Sequence, residues 1–200
     1  NMDTLKNSPQ IEGFKARGIE VLYFTDTIDD FWLQSIMDFD GTPFVSVTKG
    51  SIDLSKFDKD KDETKKEETE KTDAPELEKL IKLFKEELTE EIGDIRASSR
   101  LTESPVCLIA DDNEVDLRME RVLRIHQKYE APTKRIMEIN PKHPLIKALA
   151  GMVKEDSTQK EITDSAHLLL DQARIIQGEP IPDPNQFAQR MATIMQRGLK

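Results

Sequence analysis

The stretch from Ser157 to Lys200 constrains the fold most, because it reads as two helices joined by a tight turn. In the first helix Ile162, Ala166, Leu169, Ala173 and Ile176 recur at spacings of four, three, four and three. That is a heptad seam, one apolar stripe along a helix. Leu168, Leu170 and Ile175 fall off the stripe, so this helix asks for apolar cover on more than one side, where a surface helix needs a single buried face. Gly178, Pro180 and Pro182 then break it, since glycine can end a helix in a left-handed cap and proline cannot continue one. Asp183 followed by Pro184 starts the second helix, with a capping carboxylate and then a proline where no N–H is needed. Phe187, Met191, Ile194 and Met195 repeat the seam there. One side of such a hairpin can dock on the rest of the chain. The other is covered most cheaply by a copy of itself across a two-fold axis, which makes a four-helix bundle. Packing of both sides inside one protomer is the competing reading, and the pattern leaves both open.

A formal net charge of −10 offers no basic stripe and argues against nucleic acid or an anionic membrane surface as partner. No apolar run approaches the length of a membrane span, and no signal peptide is visible. The single cysteine excludes an internal disulfide and fits a reducing, cytoplasmic setting. The chain opens on Asn1 rather than Met, which suggests a fragment or a tag remnant.

Residues 1–52 read as a small α/β unit. Leu5, Ile11 and Phe14 mark a helix ending near Gly18, Ile19–Phe24 is a buried-strand run, Ile28–Met37 is a helix, and Phe44–Thr48 is a second strand. The connection between the runs is long enough for a crossover helix, so the strands are expected to be parallel. Residues 53–73 hold nine acidic and six basic side chains around Leu54 and Phe57, too few apolar groups to offset chain entropy, and read as a charged linker or a frayed helix start. From 74 to 200 an α+β domain follows. Pro75 opens a helix with Leu77, Leu80, Ile81, Phe84 and Leu88 on one face. Ile95–Ser98, Val106–Ala110 and Arg135–Ile139 are strands, Asp111 starts a helix to about Gln127, and Pro144 opens another.

The residues that could carry catalysis are sparse. Cys107 lies in the strand-like run Val106-Cys107-Leu108-Ile109 and reads as a core thiol. His126, His143 and His167 are scattered, without metal-ligand spacing, and no glycine-rich phosphate loop is present. Asp29-Asp30 and Asp111-Asp112 sit where helix caps are needed. No catalytic, cofactor or metal residue is therefore assigned. Apolar surface is the better lead. Val115, Met119, Val122 and Leu123 share one arc of a helix, and Phe31 and Trp32 are adjacent aromatics that cannot both point inward on a short helix. From the pattern alone the Val115–Leu123 arc fits core as well as surface.

The segments Ala16-Arg17-Gly18-Ile19-Glu20-Val21-Leu22, Ile28-Asp29-Asp30-Phe31-Trp32 and Phe39-Asp40-Gly41-Thr42-Pro43-Phe44-Val45-Ser46-Val47 resemble the end of the middle domain of the ninety-kilodalton heat-shock chaperones. Arg100-Leu101-Thr102-Glu103-Ser104-Pro105-Val106, Met137-Glu138-Ile139-Asn140-Pro141-Lys142-His143-Pro144, Leu168-Leu169-Leu170-Asp171-Gln172-Ala173 and Asp183-Pro184-Asn185-Gln186-Phe187 are similar to the C-terminal domain of that family. The ending Gly198-Leu199-Lys200, without an acidic tail, points to the bacterial, HtpG-type branch. The resemblance implies an ATP-driven dimeric clamp that remodels non-native proteins, with ATP and magnesium bound in a domain outside this chain. It places a homodimer interface on Leu169, Ala173, Ile176, Phe187, Met191 and Ile194. It also places client binding on Phe31, Trp32, Val115, Met119, Val122 and Leu123. A purely structural dimerisation module, with the Val115–Leu123 arc as core, is the alternative.

Overall fold

The structure, a computed structural model, describes residues 2–50, 52, 54–57, 63–112, 116–117, 120, 134–153 and 159–199. Helices α1 (Met2–Lys6) and α2 (Glu12–Ala16) are separated by a 3-10 turn at Pro9–Ile11. One continuous helix was expected here, but Pro9 lacks an N–H and its ring clashes with the preceding turn, so the helix divides. Helix α3 (Thr27–Ser35) opens with the Asp26 N–H donating to Asp29 Oδ2 at 2.9 Å. It leads into a two-residue hairpin, β1 (Asp38–Phe39) against β2 (Thr42–Pro43). Asp40 and Gly41 take φ of 51° and 75° in its turn, the left-handed pair that an Asp-Gly hairpin requires.

The parallel strands expected at Ile19–Phe24 and Phe44–Thr48 do not form. Ile19–Phe24 has no ladder partner among the described residues, and an apolar run without a neighbour is no strand. Phe44–Thr48 is committed at both ends. The Phe44 N–H donates to the Met37 carbonyl at 2.8 Å, extending the hairpin, and the Thr48 carbonyl accepts from the Ala110 N–H at 2.9 Å. Helix α4 (Glu63–Glu87) also departs from expectation, because Pro75 lies inside it rather than at its start. Upstream of α4, Leu54 in the expected linker is 1% exposed within a 3-10 turn.

Strands β3 (Asp94–Ala97), β4 (Val106–Ile109) and β5 (Ile136–Ile139) form a mixed sheet in the order β3-β5-β4, with β5 parallel to β3 and antiparallel to β4. The period-2 alternation of a strand sorts their side chains. Ile95, Val106, Leu108, Met137 and Ile139 pack with Leu80, Phe84 and Leu88 of α4, Ile146 and Leu149 of α5 (Pro144–Met152), and α6 (Gln159–Gln177). Cys107, Ile109 and Ile136 face the other way and cluster with Leu101. Cover on both faces is why β4, Val106-Cys107-Leu108-Ile109, reads as an unbroken apolar run. The helix expected from Asp111 to Gln127 falls largely outside the described residues.

Helix α6 ends as its sequence dictates. Gly178 takes φ 70°, its N–H donates to the Ile175 carbonyl, and the Glu179 N–H donates to Arg174, the paired bonds of a Schellman cap. Asp183 Oδ1 accepts from the N–H groups of Asn185 and Gln186, both at 3.0 Å, and Pro184 opens α7 (Pro184–Gly198).

Candidate functional site

The hairpin faces come first. Ile162, Ala166, Leu169, Leu170 and Ala173 of α6 are all in the protomer's main core. This corrects the expectation for Leu169 and Ala173. Leu169 is 3% exposed and cannot serve an interface with a second chain. The seam is real, but its covering partner is α4 and the sheet. Leu168, Ile175 and Ile176 are turned away from that core or lie at its margin. Helix α7 has no buried residue at all. Phe187 and Ile194 are half-buried, while Met191 is 38% and Met195 61% exposed. Positions 187, 191, 194 and 195 lie on one side of a helix by its 3.6-residue period. Helix α7 is thus amphipathic, with Phe187 and Ile194 partly covered and Met191 and Met195 left exposed among the described residues.

The second exposed apolar surface lies around α3. Trp32 leans on Phe24 and Phe44 with ring centroids 5.8 Å and 6.1 Å away, and Phe24 meets Phe44 edge to face at 6.3 Å. Phe31, its neighbour on the helix, projects outward and is 52% exposed. Ile28, Ile36, Met37, Phe39 and Val45 are exposed around it. Val115, Met119, Val122 and Leu123, the other expected client-binding residues, lie outside the described residues.

A polar joint fastens the aromatic segment to the sheet. The Glu12 carboxylate accepts from the backbone N–H groups of Thr102, Glu103 and Ser104 and from the Ser104 hydroxyl. Gly13 comes so near the loop that a Cβ there would sit 2.5 Å from the Arg100 carbonyl oxygen. In return, Arg100 donates to the carbonyls of Val47 at 2.6 Å and Lys49 at 2.9 Å. Its Nε lies 2.9 Å from Glu138 Oε2, and Arg96 and Ser98 bind the same carboxylate. Gln10 and Gln177 both donate to the Leu108 carbonyl, closing the free edge of β4. Neither Glu12 nor Arg100 was singled out from sequence as an anchor. The usable signal was the run Arg100-Leu101-Thr102-Glu103-Ser104-Pro105, a loop whose free N–H groups need an acceptor.

Burial raises the Glu12 carboxyl, but the Ser104 hydroxyl and the backbone N–H groups of residues 102 to 104 outweigh it and hold the group below its ordinary value of 4.5. A carboxyl lowered on folding stabilises the protein above its unfolded value and loses that contribution as pH falls through the lowered one. Glu12→Gln should therefore cost about 1–2 kcal/mol near neutrality. The gap in urea midpoint between wild type and variant should narrow as pH falls through the lowered value of Glu12. Cys107 is buried, and burial pushes its thiol far above the ordinary value, the state of an inert core cysteine. Among the described residues no group of His, Cys, Asp and Glu could hold a metal ion, and no helix is long and apolar enough to cross a membrane.

Exposed apolar side chains thus lie on two separate elements of a mixed α/β scaffold, α3 and α7. The model of the Hsp90 protein family matches residues 1–200. The chaperone protein HtpG of Paramagnetospirillum magneticum is 46% identical over 199 residues, which cover 100% of this chain and 32% of the relative. HtpG of Rhizobium etli is 44% identical over 200 residues (100% and 31%), and HtpG of Wolbachia pipientis 38% over 195 residues (98% and 31%). The chain belongs to the Hsp90 family. It spans about a third of the length of the HtpG relatives it matches.

Proposed function

We propose that this chain is the C-terminal part of an ATP-dependent molecular chaperone of the HtpG type, supplying homodimerisation and part of the client-binding surface. In this reading residues 1–52 end the middle domain and residues 74–200 form the dimerisation domain. ATP and magnesium belong to a site outside residues 1–200, and the fragment itself turns over no nucleotide. The setting is cytoplasmic.

The observation that carries the reading is α7, which has no fully buried residue yet keeps Phe187, Met191, Ile194 and Met195 on one side. A two-fold axis against that side lets each copy cover the other, with Ile175 and Ile176 at the margin, and makes the four-helix bundle. The dimer interface is accordingly Phe187, Met191 and Ile194 with Ile176, without Leu169 and Ala173. Clients of non-native conformation would meet Phe31 and Trp32, and by the family resemblance Val115, Met119, Val122 and Leu123. Light scattering at low micromolar concentration should return the mass of two chains, and a one-chain mass overturns the dimer. Suppression of the aggregation of an unfolded protein by that dimer separates a client-binding part from a purely structural module.

A further inference from the structure

No side chain of α7 is fully buried in the protomer, and only Phe187 and Ile194 of its apolar residues are half-buried, so packing holds the roll of the helix less tightly than a core helix is held. Charge holds it as well. Arg190 Nε lies 3.5 Å from Asp164 Oδ1, and Arg197 Nη1 lies 2.7 Å from Glu161 Oε1. Arg190 and Arg197 are seven residues apart and share one stripe of α7. Glu161 and Asp164 are three apart and share the side of α6 turned away from the core stripe Ile162, Ala166 and Leu169. The order is antiparallel, the later arginine meeting the earlier acid, as a hairpin demands. Measured round the helix from Arg190, Ile194 lies about 40° away, Phe187 about 60°, Met191 about 100° and Met195 about 140°, so the half-buried pair is next to the arginine stripe and the exposed methionines are farthest from it.

From this geometry we infer that Arg190–Asp164 and Arg197–Glu161 are positioning pairs that fix the roll of α7 so that Phe187 and Ile194 border α6 while Met191 and Met195 are presented outward, preset for a second copy of this chain. The inference rests on the dimer reading above. It makes the association depend on charges that never touch the partner. An apolar interface is not weakened by salt, and kosmotropic salts strengthen it because they are excluded from the protein surface, whereas ion pairs at the surface are screened. The protein should therefore weaken as a dimer when salt is raised from about 0.05 to about 0.5 M.

Sedimentation equilibrium on the full chain tests this. Arg190→Glu with Arg197→Glu sets like charges against Asp164 and Glu161 and should weaken the dimer about tenfold, roughly 1.4 kcal/mol shared by two symmetry-related hairpins. Adding Glu161→Arg and Asp164→Arg restores opposite charges in exchanged places and should bring back both the affinity and its salt dependence. Arg190→Gln with Arg197→Gln, which adds no repulsion, should weaken the dimer about threefold and flatten the salt dependence; it serves as the readout if the reversed protein does not fold. An unchanged dissociation constant in the glutamine variant, or no recovery in the exchanged one, overturns the positioning role. Met191→Asp keeps the two failures apart. If Met191→Asp leaves the dimer intact, the interface itself is misplaced; if it dissociates the dimer while the arginine variants do not, only the positioning pairs are refuted.

Discussion

Arg100→Met should destabilise the protein by about 3–5 kcal/mol, seen as a lower urea midpoint at unchanged slope. Arg100 is 2% exposed and the Glu138 carboxylate it faces is 4% exposed. Methionine fills a similar volume, so the loss is electrostatic rather than a cavity. Removing the guanidinium leaves the Val47 and Lys49 carbonyls without the donor they have here. It also leaves a buried carboxylate with Arg96 and Ser98 but one charge fewer against it. Breaking a buried pair from one side costs more than the pair contributes, because the remaining charge keeps its desolvation penalty. Arg96→Met is the control. Its side chain is 39% exposed, water can take over part of its role, and the expected loss is about 1 kcal/mol. Hydrogen exchange should show residues 46–50 losing protection first in Arg100→Met, since that segment hangs on the guanidinium and on the Ala110 bond. Equal midpoints for the two variants would mean that Arg100 does not anchor the joint.

That joint also lies beyond what local sequence specifies. Elements set by local chemistry were legible. The Gly178 cap and the Asp183-Pro184 start fell where their residues put them, because a left-handed glycine or a capping carboxylate acts within a few residues. Cys107 was legible for a related reason, since an unbroken apolar run requires cover on both faces. The strands expected at Ile19–Phe24 and Phe44–Thr48 were not, because strand periodicity needs a neighbour and the neighbours are chosen by the tertiary fold. Pro75 was read as a helix start, although a long helix with other ties can accommodate one lost hydrogen bond. Glu12 and Arg100 carry no periodic signal, and their partners lie 90 and 53 residues away. The seam of α6 was the instructive case. Spacing showed that Ile162, Ala166, Leu169 and Ala173 form one buried face, but a stripe records that it is covered and not by what.

The distinction sets the second large effect, in which two substitutions of one chemistry act on different equilibria. Met191→Asp with Ile194→Asp places carboxylates on the uncovered side of α7, where in a monomer they meet water. Met191 is exposed and Ile194 only half-buried in the protomer, so thermal stability of the isolated chain should fall far less than for a core position. In a two-fold dimer the same pair becomes four carboxylates in an apolar seam, each costing several kcal/mol unless it protonates. The two methionines and two isoleucines they replace also forfeit roughly 1.5–3 kcal/mol apiece on full burial. Since every 1.4 kcal/mol is tenfold, dissociation should strengthen by several orders of magnitude, beyond rescue at any practical concentration. Leu169→Asp puts the charge inside the protomer instead, against Leu170 and the sheet. Even Leu169→Ala should cost about 2–5 kcal/mol there, so the aspartate variant should unfold rather than dissociate. Light scattering paired with circular dichroism separates the outcomes: a folded monomer for the α7 pair, lost ellipticity for Leu169→Asp. A dimer that survives the α7 pair would move the two-fold away from this hairpin altogether.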